Sequence, residues 1–335
     1  MKEALFYKKL KSKQVQCELC PRHCVITDGN RGNCGVRENK EGKLFTLVYA
    51  KACSANLDPI LKKPFYHFLP GEMAFSIATV GCNLHCKFCQ NWTISQAKPE
   101  DVSAMDLPPA AVVEETKRAN ARIISYTYVE PVIFYEYMLD AAKLAKKAGL
   151  RNTIVSNGFI NPEPLKQLCK YIDAANIDLK SISDKFYREI TGAWLAPVLE
   201  TIKTLHKKGI WLELTNLIIP TLNDSLKDIK ALIAWVKKNV GLDVPLHFTA
   251  FYPCYKLAHL PPTPPEILLK ARQLALKAGL KYVYAGNILN VETNSTYCPK
   301  CRKLLIRRIG FTVAENNIEK GKCKFCGESI AGVWS

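Results

Sequence analysis

The sequence lacks any apolar run long enough to cross a membrane. Its first residues, MKEALFYKKLKSKQ, carry charges throughout and contain no signal-peptide apolar stretch. These absences predict a cytoplasmic protein that does not contact a membrane. Acidic residues are also scarce, with 30 Asp and Glu against 47 Lys and Arg and a formal net charge of +17.

The positive charge is compatible with an anionic substrate, an acidic protein partner or nucleic acid. A lysine-rich solvated surface would give the same balance. No motif that interleaves arginine with aromatic residues, as in nucleic-acid-binding proteins, is present in the 335 residues. The solvated surface is therefore the preferred interpretation, and nucleic-acid binding stays open.

Cysteine is abundant, with fourteen residues of which eleven fall into three tight groups. In a cytosolic chain such grouping indicates metal binding rather than disulfides. A secreted disulfide-rich protein is the alternative, and the missing signal stretch argues against it.

The central group, Cys82, Cys86 and Cys89, lies in the string VGCNLHCKFCQNW with the spacing C-x3-C-x2-C. Three thiolates this close can bind three irons of a cubane [4Fe–4S] cluster. No fourth cysteine follows locally, so one iron would keep an open coordination position. A structural zinc site or three unrelated cysteines are the alternatives. The apolar run MAFSIATV just before Gly81 predicts a buried strand, which places the cysteines at its carboxyl end.

Two further groups lie toward the ends of the chain. The C-terminal pair of C-x2-C knuckles is typical of a structural zinc ribbon. The N-terminal group fits either zinc held by four thiolates, which is the preferred interpretation, or a second iron–sulfur cluster that relays electrons. The C-terminal ligands would be Cys298, Cys301, Cys323 and Cys326, and the N-terminal ligands Cys17, Cys20, Cys24 and Cys34.

The middle of the chain alternates strand-like and helix-like segments, which predicts an α/β fold with a parallel sheet, specifically a partial (β/α)6-type barrel. A doubly wound open sheet is the alternative. We expect three parts: a Cys-rich metal-binding module over 1–70, the barrel over 71–294 and a zinc-ribbon-like module over 295–335. The predicted strands are Met73–Val80, Arg122–Tyr128, Arg151–Ser156, Ala174–Leu179, Ile210–Ile218 and Val244–Phe251, with a seventh at Lys281–Tyr284. The predicted helices are Pro108–Asn120, Pro131–Ala148, Pro197–Lys208, Asp224–Asn239 and Pro264–Ala278.

The central cysteine motif, with its aromatic residue before the last cysteine, resembles the signature of the radical SAM superfamily. The chain is similar to members of the pyruvate formate-lyase-activating type, and most similar to the radical SAM enzyme of the AmmeMemoRadiSam system. The segments that carry this resemblance are CELCPRHCVITDGNRGNCGVREN, LDPILKKPFYHFLPG, SIATVGCNLHCKFCQNWTISQ and YTYVEPVIFYEYM. The zinc-ribbon tail and the long N-terminal module depart from the activating enzymes.

The resemblance implies that the open iron binds S-adenosylmethionine (SAM), which one electron cleaves to a 5′-deoxyadenosyl radical. Glu130 would contact the SAM ammonium in place of a Gly-Gly-Glu stretch, and Asn157 would line the pocket. Asp178 and Lys180 would approach the carboxylate and ribose of SAM, and Ile219 would contact its adenine. A helix-capping acid, a plain turn and solvated strand ends are the structural alternatives.

Three other segments carry expectations of their own. Asn223 or Asp224 is the predicted cap of the helix that follows. His247 is expected in the core or at the barrel mouth. The segment 66–68 is expected to be a buried aromatic loop rather than a cover over the mouth.

The sequence thus predicts an enzyme that receives one electron from a ferredoxin- or flavodoxin-like reductant and abstracts hydrogen from an unidentified substrate. One alternative is an activase that forms a glycyl radical on a partner protein. Another is a non-catalytic metal protein, either an electron carrier or a zinc-stapled nucleic-acid binder.

Overall fold

The computed structural model describes residues 1–288 and 290–335. Its largest sheet has eight strands, each next to its neighbour in sequence. The strands are β1 (Ser54–Pro59), β2 (Met73–Ala78), β3 (Ile123–Tyr126), β4 (Arg151–Ser156), β5 (Ala174–Asp178), β6 (Trp211–Ile218), β7 (Leu246–Ala250) and β8 (Val283–Gly286).

The strand order decides between the two predicted architectures. Strands β2 to β8 are parallel and pair strictly in chain order, and only β1 is antiparallel, against β2. A doubly wound sheet would reverse its order at a switch point. A sheet whose strands follow one another in chain order, without reversal, is typical of a (β/α) barrel. Within the described residues β1 does not pair with β8, so the barrel is open. The partial barrel is confirmed, with seven parallel strands.

Helices cover the outside of the sheet between consecutive strands. Three of these helices end just before a glycine with positive φ, the left-handed conformation that commonly terminates a helix. These glycines are Gly149, Gly209 and Gly279. The main helices are α1 (Pro109–Arg118), α2 (Tyr135–Lys147), α3 (Pro162–Leu168), α4 (Leu195–Lys207), α5 (Leu226–Val240) and α6 (Pro265–Lys277). Shorter turns of helix occupy Ile60–Lys62, Trp92–Ser95, Pro99–Asp101, Pro131–Phe134, Asp184–Phe186, Tyr187–Thr191, Tyr255–Leu257 and Val291–Asn294.

The aromatic loop around Tyr66 fills the barrel at the amino ends of the strands. Glu213, near the start of β6, accepts the backbone N–H groups of Tyr66 and His67 at 3.0 and 2.8 Å. The same carboxylate lies 2.7 Å from Nε2 of His247. All four side chains are buried. The loop is buried as expected, and His247 belongs to the core rather than to the mouth.

The two ends of the chain form small antiparallel sheets. The N-terminal strands are Lys2–Glu3, Tyr7–Lys9, Val15–Cys17, Val25–Ile26, Arg37–Lys40, Lys43–Thr46 and Lys51–Ala52, with Met105–Asp106 pairing to the last. The C-terminal strands are Thr296–Tyr297, Leu304–Ile309, Thr312–Asn316, Ile318–Glu319 and Lys322–Cys323. None of the described helices combines the length and the apolar character that a membrane span requires.

The boundary between the N-terminal segment and the barrel is not sharp. Strand β1 falls inside the predicted module 1–70, yet it extends the barrel sheet by six paired residues on β2. The division into three parts stays a prediction. Strand β1 and helix α3 were not predicted, because the sequence SANLDP has no alternation and α3 is only seven residues long.

Candidate active site

The cysteine loop leaves β2 at the carboxyl edge of the sheet, where barrel enzymes carry their chemistry. Gly81 opens the loop with φ +97°. A Cβ on it would lie 2.6 Å from Cγ1 of Val36 and 2.8 Å from the carbonyl oxygen of Cys34. Only glycine fits both this backbone conformation and this contact. The loop is therefore fixed against the N-terminal segment.

The three thiols of the loop are in different environments. Leu84 donates its backbone N–H to Sγ of Cys82 at 3.4 Å, and Cys89 Sγ lies 3.1 Å from Ser95 Oγ. Burial raises the pKa of Cys82 well above its ordinary value and that of Cys86 to about 12. Thiols with such pKa values stay protonated unless a metal centre supplies the positive charge that stabilises thiolate.

The sulfurs of the loop are not arranged around a single ion. Four thiolates on one zinc, with Zn–S about 2.3 Å, would lie about 3.8 Å apart. Among the described residues, the ligand atoms of Cys82, Cys86 and Cys89 do not form a group within 4.8 Å of one another. In a cubane each thiolate binds a different iron, so its sulfurs need not lie as close as around one ion.

Glu130 follows β3 and is fully buried. Its Oε1 accepts from the backbone N–H of Val132 and from Ser156 Oγ, and its Oε2 accepts from the backbone N–H of Asn157. Burial raises its pKa to about 7, although these three donors act in the opposite direction. Glu130 thus caps the following turn of helix and ties the end of β4 to that of β3, and one of its four lone-pair positions remains for a ligand cation.

Asn157 connects the end of β4 to the cysteine loop. Its Nδ2 donates to Oδ1 of Asn83 at 2.9 Å and lies 3.9 Å from Sγ of Cys82. Its Oδ1 accepts from the backbone N–H of Phe159, so the amide is held on both sides. The structure therefore places Asn157 beside the first cysteine of the motif.

Asp178 and Lys180 come from the end of β5 and face the same loop. Their side chains form an ion pair of 2.8 Å, and the Lys180 ammonium lies 5.5 Å from the ring centre of Phe88. Burial alone would lower the pKa of Lys180, but the Asp178 carboxylate and the Cys86 thiol raise it above its ordinary value. Lys180 is thus a fixed positive charge beside the cysteines.

One of the two sequence-based assignments in the segment after β6 does not agree with the structure. Ile219 is buried in the core, and its contact with adenine stays a prediction. The cap of α5 is Ser225, which accepts from the N–H of Asp228, and not Asn223 or Asp224. Asn223 instead donates to the carbonyl of Lys180 at 2.8 Å and so positions that residue's backbone.

Residues at the rim were not predicted from the sequence. Cys254, which follows β7, donates its thiol to the carbonyl oxygen of Phe88 at 3.3 Å. Trp92 and Tyr255 stack with ring centres 5.2 Å apart, and Trp92 is partly exposed. Cysteine in the segment after a barrel strand is the one signal that could have singled out Cys254.

The C-terminal cysteines form a compact ligand set. Sγ of Cys298 lies 3.6 Å from that of Cys326, and Sγ of Cys301 lies 3.7 Å from that of Cys323. All four sulfurs lie within 4.8 Å of one another. These separations match tetrahedral coordination of one ion, so this group can bind a metal as expected.

Comparisons with known proteins agree with this arrangement. The family model described as the radical SAM superfamily matches residues 76–236. An uncharacterized protein of Methanocaldococcus jannaschii is 47% identical over 332 residues, covering 98% of this chain and 99% of that protein. The pyruvate formate-lyase-activating enzyme of Clostridium pasteurianum is 24% identical over 166 residues, covering 47% of this chain and 66% of the enzyme.

Solved structures show the same fold at low identity. A radical SAM methyltransferase from Sphaerobacter thermophilus is 13% identical with a TM-score of 0.51, covering 64% of this chain and 66% of that one. Streptococcus suis SuiB bound to precursor peptide SuiA is 16% identical with a TM-score of 0.50, covering 68% and 51%. The match to the family model agrees with the position of the cysteine loop, at the carboxyl edge of a parallel sheet whose strands pair in chain order. The chain belongs to the radical SAM superfamily.

Proposed function

We propose that this chain cleaves SAM reductively at a [4Fe–4S] cluster held by Cys82, Cys86 and Cys89. When bound, the cluster would supply one electron to SAM, which breaks the sulfonium C–S bond and releases methionine, and the 5′-deoxyadenosyl radical would take a hydrogen atom from the substrate. Membership of the radical SAM superfamily supports this class of chemistry. The observation that carries the proposal is the convergence of β2, β4 and β5 on the cysteine loop, with Lys180 fixed beside Cys86.

The chain's own residues would bind and orient SAM. Lys180 offers a positive charge to its carboxylate, and Asp178 offers an acceptor to its ribose or ammonium. Glu130 ties the ends of β3 and β4 together by accepting from Ser156 and Asn157, and Asn157 ties them to the loop by donating to Asn83. Glu130 and Asn157 are buried, and the chemistry requires that bound SAM and substrate exclude water from the rest of the site.

A second candidate is an activase that acts on a partner protein. The similarity to pyruvate formate-lyase-activating enzymes over about half of the chain supports it. The stacked pair of Trp92 and Tyr255 beside the cysteine loop offers a partly exposed aromatic surface for a protein substrate. A small-molecule substrate remains the alternative.

Anaerobic reconstitution followed by dithionite and SAM tests the proposal. We expect 5′-deoxyadenosine from the wild type and none from Cys86→Ala. Cys169→Ala is the matched control, because Cys169 lies at the end of α3 away from the loop and should keep full activity. Equal product from Cys86→Ala and the wild type would refute the site.

The activase candidate needs its own measurement. Purified pyruvate formate-lyase is added to the reconstituted enzyme with SAM and reductant, and a glycyl radical signal is sought by electron paramagnetic resonance (EPR). A signal that requires the active protein supports activase chemistry on such a partner. Its absence, together with 5′-deoxyadenosine formation, rules out pyruvate formate-lyase as the substrate.

A further inference from the structure

The four N-terminal cysteines surround one cavity beside the active-site loop. Its atom-free space is about 370 Å³, including the opening to solvent. The apolar part of the lining comes from Leu19, Ile26, Val132 and Ile133, and the cysteines are Cys17, Cys20, Cys24 and Cys34. These residues belong to the strands and turns of the N-terminal segment and to the turn of helix after β3, so the cavity lies between the N-terminal segment and the barrel.

The sulfurs around this cavity are spread more widely than one zinc ion requires. No three of them lie within 4.8 Å of one another in the described structure, whereas the four C-terminal sulfurs do. The C-terminal set is an internal reference for single-ion spacing, and neither the N-terminal set nor the Cys82 group meets it. Four cysteines are the usual ligands of a [4Fe–4S] cubane, and here all four line one cavity.

A buried cation contacts the cavity. Arg37, which also lines it, is 1% exposed and points its Nη1 at Sγ of Cys17 at 3.8 Å. Its Nη2 pairs with the equally buried Glu136 at 2.5 Å. Hydrogen-bond donors directed at the sulfurs stabilise the added negative charge of a reduced cluster and so tune its potential.

The cavity and the active-site loop touch directly. The carbonyl of Cys34 packs on Gly81, the residue before Cys82, and Asn83 lines the cavity. Arg22, another lining residue, donates to the carbonyl of Asn83 at 2.6 Å. Gly81 alone therefore lies between Cys34, a ligand of the N-terminal set, and Cys82, a ligand of the active-site set.

We propose that Cys17, Cys20, Cys24 and Cys34 hold a second [4Fe–4S] cluster, which relays single electrons to the cluster at Cys82, Cys86 and Cys89. The relay role rests on the proposed function, whereas the identity of the N-terminal metal does not. One electron from a flavodoxin or ferredoxin reduces the N-terminal cluster from 2+ to 1+. The same electron then passes to the active-site cluster, the N-terminal cluster returns to 2+, and no proton moves. This assignment replaces zinc as the preferred N-terminal metal.

The variant Cys82→Ala/Cys86→Ala/Cys89→Ala tests the metal identity without altering the N-terminal site. After anaerobic reconstitution we expect about four irons per chain, a reduced-cluster EPR signal with dithionite, and no change of that signal on addition of SAM. A variant without iron, or with zinc at the N-terminal site, would overturn the proposal. Iron in this variant without SAM cleavage by the wild type would leave the second cluster standing and remove only the proposed function.

The relay is tested by changing the reductant. Cys20→Ala is compared with Cys53→Ala, a cysteine outside both groups. With reduced flavodoxin we expect Cys20→Ala to form 5′-deoxyadenosine at least tenfold more slowly than the wild type. With dithionite, a small reductant, Cys20→Ala should keep a larger fraction of the wild-type rate than it does with flavodoxin. Equal loss with both reductants, or no loss with flavodoxin, would contradict the relay.

Freeze-quench EPR of the wild type gives a measurement that depends on no variant. After mixing with reduced flavodoxin and SAM, the SAM-insensitive signal should rise no later than 5′-deoxyadenosine appears. Product formation before that signal would overturn the relay even if Cys20→Ala failed to fold.

Discussion

The carbonyl oxygen of Cys34 lies 2.8 Å from the point where a Cβ on Gly81 would stand. This contact joins the N-terminal cysteine group to the loop that carries Cys82. The close approach depends on the absence of a side chain at position 81 and on a φ of +97°. A methyl group there would separate the two cysteine groups or distort the loop.

We therefore expect Gly81→Ala to lower the free energy of unfolding by at least about 2 kcal/mol, through left-handed strain and overpacking together. It should also lower the iron content after reconstitution. Gly149→Ala is the matched control, because Gly149 has a similar φ of +76° but no heavy atom within 4 Å of the added Cβ. Urea unfolding and iron analysis measure both effects, and equal losses in the two variants would show that the contact is unimportant.

Lys180→Met should weaken SAM binding. Lys180 is largely buried beside Cys86, so its charge is screened little by solvent. Loss of one charge-assisted hydrogen bond, worth about 1.5–3 kcal/mol, corresponds to a roughly 10- to 150-fold increase in KM for SAM. The exposed Lys208→Met should leave KM unchanged. A Lys180→Met enzyme with wild-type KM would mean that this ammonium does not contact SAM.

Removal of the C-terminal metal should leave the active site intact. The spacing of its four sulfurs predicts one zinc per chain. Cys301→Ser/Cys323→Ser should lose this zinc and the cooperative folding of the tail, with unchanged iron. Zinc and iron analysis of the wild type and of the double variant measures this effect. Iron rather than zinc lost from this variant would refute the zinc assignment.

Acidification should destabilise the packing of the C-terminal tail through His67. Burial lowers the pKa of His67 from 6.5 to about 4, and the neutral ring lies 2.7 Å from the carbonyl of Ala331 and 2.5 Å from the hydroxyl of Tyr284. Because the unfolded chain binds the proton first, this stability is present above pH 6.5 and is lost as the pH falls toward 4. The loss amounts to as much as about 3 kcal/mol.

The measurement is the free energy of unfolding of the wild type and of His67→Gln at several pH values. The difference between the two proteins isolates His67 from the other groups that titrate in this range. We expect that difference to shrink between pH 6.5 and pH 4. A constant difference would mean that His67 does not titrate in the folded state as proposed.

The amino-acid pattern predicted the architecture well because buried parallel strands leave a strong signal. Strand β4 has the predicted bounds, Arg151–Ser156, and β2, β5 and β6 differ only by one or two residues at an end. The residue that caps a helix was harder to predict when several polar residues compete for that role. Three polar residues precede α5, and Ser225 caps it because Asn223 already donates hydrogen bonds to the backbone of Leu217 and Lys180.

The sequence predicted the cysteine groups but not the separation of their sulfurs. Spacing along the chain gives the number of ligands, whereas the distance between sulfurs depends on how distant segments pack. Cys17 and Cys34, seventeen residues apart, line one cavity because of the way the N-terminal segment folds on itself. The contact between Cys34 and Gly81 likewise joins residues far apart in sequence, for which a single sequence contains no signal.

Cys254 provides the last test, because it is a cysteine outside the motif that contacts the cysteine loop. Its thiol is bonded to the carbonyl of Phe88 at 3.3 Å, an interaction that a serine hydroxyl can replace. If the fourth iron is open to SAM, Cys254→Ser should keep the iron content of the wild type. The rate of 5′-deoxyadenosine formation should also stay close to that of the wild type, since the hydrogen bond to Phe88 is retained. Loss of the cluster in Cys254→Ser, as in Cys86→Ala, would identify Cys254 as a fourth protein ligand. An iron so occupied has no position for SAM, and the radical mechanism would have to be abandoned.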